Sequence, residues 1–151
     1  MIKIVEGNIL NTDKNIIGHQ VNCIGVMGAG LAKQIKNKYP IAFEQYKGLV
    51  DSHIEKRKLL GKHQIVIVDK NKYVSNLFGQ ESIGTQKQQT DYLALSESLN
   101  RLSSMAKSLN LSVALPHGIG CGLAGGDWEI VYDLIDSAFK DYEVTLVKFI
   151  Q

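Results

Sequence analysis

Two glycine-rich segments are where the residue types of this chain could do chemistry. Residues 22–30 read Asn22-Cys23-Ile24-Gly25-Val26-Met27-Gly28-Ala29-Gly30 and run into a helical stretch at Leu31. Residues 116–126 run from Pro116 through Gly118-Ile119-Gly120-Cys121-Gly122-Leu123 to Gly126, ahead of Asp127-Trp128-Glu129. Glycine lets backbone N–H groups approach a ligand and take positive φ, and free N–H groups at a helix start favour phosphate oxygens. Five glycines among residues 118–126 carry an entropic cost on folding that turn geometry alone does not explain. A ligand pressed against the backbone explains it. Either loop by itself is also an ordinary packing turn; the pair, each after an apolar run, suggests an anion cradle. Neither holds the Gly-Lys-Ser/Thr of a P-loop or the dinucleotide fingerprint with its acidic partner, which argues against an NTPase, kinase or dehydrogenase.

Titratable groups near these loops have two readings each. His19, three residues before Asn22, has an ordinary pKa of roughly 6.5 that suits proton transfer or nucleophilic attack at neutral pH. Its bland reading is a strand-end histidine satisfied by hydrogen bonds. Asp127 precedes a helix, where aspartate is a favoured N-cap, and capping is its better local reading. Cys23 and Cys121 fall in the loops with nothing to lower a thiol pKa. Trp128, His117, Phe78 and Tyr92 could wall a site or pack the core. The polar, glutamine-rich residues 81–89 read as a solvent-facing loop able to select what a ligand carries.

The elements that must position these groups follow from periodicity. Short β-branched runs at residues 2–5, 16–21, 64–68, 73–77, 112–115 and 144–150 predict strands, and their apolar continuity predicts burial on both sheet faces. Apolar residues at helical spacing predict helices over 30–38, 41–50, 91–108 and 127–139. The order gives one α/β domain over residues 1–151, with a mixed sheet of about six strands between helices and ligands gathering at strand C-terminal ends.

Composition excludes more than it names. With 44% hydrophobic and 21% charged residues, the chain has the profile of a globular protein. A net charge of +2 and the mixed run Glu55-Lys56-Arg57-Lys58 name no polymer partner and read as a solvated helix end. Two cysteines make no disulfide framework and no Cys/His cluster has zinc spacing, so a reducing, cytoplasmic setting without metal is expected. No signal sequence and no apolar stretch long enough to span a bilayer is read from the chain.

The order of these motifs resembles the macrodomain family. Gly7-Asn8-Ile9 after the first strand, Asn22 before Gly28-Ala29-Gly30, and Gly118 to Leu123 followed by Asp127-Trp128 fall in the family's order across essentially the whole chain. The match is closest to the branch with ADP-ribose-1″-phosphate phosphatases, the terminal ADP-ribose protein glycohydrolase and the antitoxin that removes ADP-ribose from DNA. The resemblance implies a three-layer α/β/α sandwich that binds ADP-ribose or ADP-ribose-1″-phosphate as a monomer without a cofactor, and acts on it or on ADP-ribosylated protein or nucleic acid. It implies adenine contact at Asn8, where the family usually has an aspartate, and ligand contact at Ile9. It further implies distal-ribose contact at Asn22 and diphosphate contact at Val26, Gly28, Ala29, Gly30 and Leu31 and at Gly118, Ile119, Gly120, Cys121, Gly122 and Leu123. His19 matches a histidine implicated in catalysis in the phosphatase branch, and Asp127, the nearest carboxylate after Gly122-Leu123, is the second candidate catalytic residue. The glycohydrolase and DNA-directed branches carry a lysine about where this chain has Gln80, and some members an acid where it has Ala124. A phosphatase reading is therefore preferred, with ADP-ribosyl hydrolase and non-catalytic reader as alternatives.

Overall fold

The computed structural model describes residues 1–150. Six strands form one sheet: β1 (Ile2–Gly7), β2 (Ile16–Val21), β3 (His63–Asp69), β4 (Lys72–Phe78), β5 (Val113–Pro116) and β6 (Val144–Phe149), in spatial order β1-β6-β5-β2-β4-β3. All neighbours are parallel except β3 and β4, which form an antiparallel hairpin, so the sheet is mixed as expected. Four α-helices connect it: α1 (Gly30–Lys38), α2 (Pro40–Asp51), α3 (Tyr92–Leu109) and α4 (Trp128–Ala138).

Consecutive residues of β2 show how the layers are made. Ile16 points into a cluster with Leu95, Leu99 and Ile135 of α3 and α4, while Ile17 points into another with Ile35 of α1 and Ala42 of α2. The two-residue period of a strand therefore buries β2 on both faces and gives a three-layer α/β/α sandwich. Gly18 fits this sheet because a Cβ there would stand 2.6 Å from Leu115 Cδ2. Local signals fix the helix ends. Asp91 and Asp127 cap α3 and α4 by accepting from Ala94 N and Glu129 N, Pro40 opens α2, and Asn110 closes α3 in the left-handed region.

Burial on both faces holds for β2, β4 and β5 and fails at the sheet edges. Ile4 and Val5 of β1 and Ile67 of β3 are exposed, on the two strands that have a neighbour on one side only. No helix among the described residues is long and apolar enough to cross a membrane.

Candidate functional site

A cleft of about 570 Å³ opens at the C-terminal ends of β2 and β5, where the two glycine loops leave the sheet. It is lined by His19, Asn22, Val26, Gly28, Ala29, Gly30 and Leu31 from the first half of the chain. The second half contributes Gly118, Ile119, Gly120, Gly122 and Leu123, so loops nearly a hundred residues apart in sequence meet across one space. Gln20, Gln80, Ile83, Gly84, Thr85 and His117 complete much of the wall. The lining contains two histidines and no Asp, Glu, Lys or Arg, so a phosphate there meets backbone N–H groups rather than a cationic side chain.

Asn22 is the keystone of the first loop. β2 ends at Val21, which frees Asn22 from strand alternation, so it and His19 both reach the cleft. Asn22 Oδ1 accepts from Ile24 N at 3.1 Å and Val26 N at 3.3 Å, and Nδ2 donates to Val26 O at 2.8 Å. These partners fix the amide's orientation. The hydroxyl of Tyr46, on the buried face of α2, donates to the same Oδ1 and accepts from Gly25 N at 3.1 Å. Burial pushes the Tyr46 hydroxyl pKa up, which keeps it a neutral donor.

The second loop is held from the segment after β4. Thr90 Oγ1 donates to Gly120 O at 2.6 Å and accepts from Gln20 Nε2 at 3.0 Å, while Gln20 Nε2 also donates to Gln80 Oε1 at 2.9 Å. Gln89 N and Thr90 N both donate to Ala124 O. Gly120 has a φ of +75°, and a Cβ on it would stand 3.1 Å from Gln20 Oε1 and 3.2 Å from Thr90 Oγ1. Only glycine satisfies both the backbone and this close approach.

His19 is 2% exposed and its Nε2 lies 2.7 Å from Asn76 Oδ1. Asn76 Nδ2 donates to Gln64 Oε1 and Ala42 O, so its oxygen faces the imidazole and Nε2 must carry the proton. Nδ1 is left as a buried acceptor with no partner in the protein. Desolvation lowers the pKa to about 4, against a smaller opposing effect of the Asn76 bond. The expectation of a group titrating near neutrality is therefore corrected: His19 is a neutral, Nδ1-accepting imidazole at pH 7.

Other sequence-derived residues lie elsewhere. Asp127 does not line the cleft; its carboxylate caps α4 and its N–H donates to the Tyr92 hydroxyl at 2.9 Å. Asn8 Oδ1 caps a short 3₁₀ turn by accepting from Leu10 N, and neither it nor Ile9, which is buried in the core, lines the cleft. Cys121 is likewise outside the lining, with its thiol on Ile119 O and its pKa raised by burial and by Asp127. Cys23 is buried with its pKa pushed up to about 11 by burial and Glu81, so neither cysteine is a ready nucleophile. Phe78 is core, and Trp128 packs against His117 with ring centroids 4.7 Å apart and planes tilted by 46°. Gln80, which stands about where the resemblance implies a lysine, donates to Ser82 O and accepts from Gln20. Sequence reading missed Tyr46, Asn76 and Thr90 because their partners come from distant segments and no local pattern marks them.

The fold and cleft define a class of protein with two glycine loops over the strand ends of a mixed three-layer sandwich. A family model described as Macro domain matches residues 19–135. The chain belongs to the macrodomain family. It is 32% identical over 147 residues to a DNA ADP-ribosyl glycohydrolase of Mycobacterium tuberculosis, covering 93% of this chain and 39% of that relative. It is 40% identical over 58 residues to an ADP-ribose 1″-phosphate phosphatase of Aspergillus oryzae, covering 38% of this chain and 27% of that one. The chain thus spans well under half the length of these relatives. A solved protein of unknown function from Bacteroides thetaiotaomicron superposes with a TM-score of 0.88 at 29% identity, covering 98% of both chains.

Proposed function

We propose that the cleft binds ADP-ribose and that the protein is a hydrolase acting on a substituent of the distal ribose, with the terminal phosphate of ADP-ribose-1″-phosphate as the substituent removed. The observation that carries this reading is His19: a neutral imidazole whose only unpartnered nitrogen is a buried acceptor, in a cleft otherwise lined by glycine backbone and apolar side chains. N–H groups of residues 27–31 and of Gly118, Gly120, Gly122 and Leu123 hold the diphosphate without lysine or metal, while those of Val26, Ile119 and Cys121 stay on their partners within the loops. Asn22 meets the distal ribose through the N–H of its amide not given to Val26. His19 Nδ1 accepts a proton from the water that attacks phosphorus and gives it to the 1″-oxygen as the P–O bond breaks, so ADP-ribose leaves as the hydroxyl, phosphate is released and the imidazole is neutral again.

A second reading, cleavage of ADP-ribose from a polymer, is favoured by one specific observation. The relative named for ADP-ribosyl DNA aligns with 93% of this chain and the one named a phosphatase with 38%. Against a covalent lysine route stands Gln80, whose amide cannot form a Schiff base.

Calorimetry with ADP-ribose, with and without magnesium, should give saturable heat in both cases; none at about millimolar ligand would sink the binding reading. ADP-ribose-1″-phosphate, ADP-ribosylated protein and ADP-ribosylated DNA incubated in parallel then separate the activities. Phosphate release should fall by on the order of a hundredfold or more in His19→Ala while ADP-ribose affinity changes little. Unchanged release by a folded His19→Ala protein removes the residue from the mechanism. Turnover of no substrate at all leaves a reader.

A further inference from the structure

The small net charge conceals a strong separation of charge across the sheet. Residues 30–62, which contain α1 and α2, carry eight Lys or Arg and three Asp or Glu, a net +5. Residues 91–143, which contain α3 and α4 on the opposite face, carry three Lys or Arg and eight Asp or Glu, a net −5. We infer that the α1–α2 layer is a docking surface for a nucleic-acid strand, running alongside the mouth of the cleft.

The basic layer adjoins the cleft at named points. Lys33 lies in the first turn of α1, directly after Leu31 and Ala32 of the cleft wall. The Lys47 stem passes within 3.0 Å of where a Cβ on Gly25 would sit, in the first glycine loop. Arg57 Nε lies 4.0 Å from Glu81, whose carbonyl accepts from Cys23 N in that same loop. The layer's own acids are largely spent: Asp51 pairs with Lys47 at 2.7 Å and Glu55 with Lys58 at 3.4 Å. Lys33, Lys36 and Lys62 make no ion pair among the described residues; Lys33 and Lys62 are exposed, and half-buried Lys36 sits 4.0 Å over the Phe43 ring with no acid paired to it.

Charge alone would attract an acidic peptide as well, and the cleft mouth decides between them. Val26, Ile83 and Leu123 line the cleft while 40%, 51% and 63% exposed, forming an aliphatic collar with no charged group in the wall. A base has an apolar face to lay on such a collar while its phosphates run along the lysines, whereas an aspartate- or glutamate-rich segment would desolvate carboxylates there. The acidic α3–α4 layer repels the same polymer and orients its approach. This goes beyond the reading of the cleft, because docking on α1–α2 needs no ADP-ribose. A modified strand held there would present its modified nucleotide to the cleft.

The test is fluorescence anisotropy with a labelled, unmodified single-stranded DNA of about 20 nucleotides, titrated across salt concentrations. Affinity should fall with salt at a log–log slope of about −2, that of roughly three phosphate contacts on a single strand. Combining Lys33→Glu, Lys36→Glu and Arg57→Glu should weaken binding about tenfold or more and remove most of that slope. ADP-ribose heat should stay unchanged in the same variant, which also certifies its fold, and the milder Lys33→Gln, Lys36→Gln, Arg57→Gln set should fall between. Asp133→Lys with Asp136→Lys, on α4, should not weaken the oligonucleotide. The inference is overturned by an oligonucleotide that does not bind at about 50 mM salt, by binding that ignores the α1–α2 reversals, or by a polyglutamate peptide that binds as tightly. Failure of the cleft reading would show separately, as loss of ADP-ribose heat with DNA binding intact.

Discussion

Burial determines what His19 can do, and it does so by removing charge. An imidazole that stays neutral down to about pH 4 in the folded chain titrates near its ordinary value of roughly 6.5 when unfolded. Between those values the unfolded state binds the extra proton, so His19 lowers stability as pH falls through that window and contributes nothing above it. Denaturant unfolding should therefore lose up to about 3 kcal/mol from this residue between pH 7 and 4. His19→Gln should lack that component, giving a flatter profile over the same range. Parallel profiles for the two proteins would mean that His19 is not held neutral. The acid limb of turnover should correspondingly lie near pH 4 rather than near neutrality. At this scale the sequence was informative where a residue sits in or beside a glycine loop, as with His19 and Asn22. It was silent on Asn76, whose oxygen fixes the tautomer of His19, because the pairing is made by neighbouring strands 57 residues apart.

Elements carry the site by where they stop. β2 ends at Val21, so one strand sends His19 to one face, Gln20 to the other and Asn22 out into the first loop. All six strands and four helices were legible from periodicity and caps, with boundaries within a few residues. The strand order and the antiparallel β3–β4 hairpin were not, since pairing partners leave no mark on local apolar pattern. Nor was the bracing of the second loop by Gln80, Gln89 and Thr90, at the ends of a segment whose residues 81–89 read as a solvent-facing selector. Thr90 passes a hydrogen bond from Gln20 to Gly120 O, where it helps set the loop that would hold the diphosphate. Thr90→Val should leave Gln20 with one acceptor fewer and loosen the loop, lowering ADP-ribose affinity about fivefold by calorimetry, the equivalent of about 1 kcal/mol. Thr90→Ser restores the hydroxyl and should bind like wild type. Equal affinity for all three would mean that the loop needs no such brace.

For the whole molecule, the telling fact is that the cleft joins two distant stretches of one cooperative sheet. The summed charge of +2 was a poor guide here, because it averages a basic and an acidic layer that the sheet keeps apart. A ligand bridging residues 22–31 and 118–123 contacts segments that come together only in the native fold. Binding should therefore raise the temperature of global unfolding rather than of one loop. At ADP-ribose about a hundredfold above its dissociation constant, the gain is about 2.7 kcal/mol, or a rise of roughly 5–10 °C for a domain of this size. Two variants separate holding the fold from holding the ligand. Asp127→Ala removes the α4 cap and should cost about 1 kcal/mol, lowering the melting temperature while keeping the full ligand-induced rise. Gly120→Val forces a side chain into a backbone of positive φ beside Gln20 and Thr90, and should abolish the rise even where the protein still melts cooperatively. Scanning calorimetry at several ligand concentrations reads both. If Asp127→Ala lost the ligand-induced rise while Gly120→Val kept it, the carboxylate would belong to the site and the second loop would not, reversing the assignment that the cleft geometry supports.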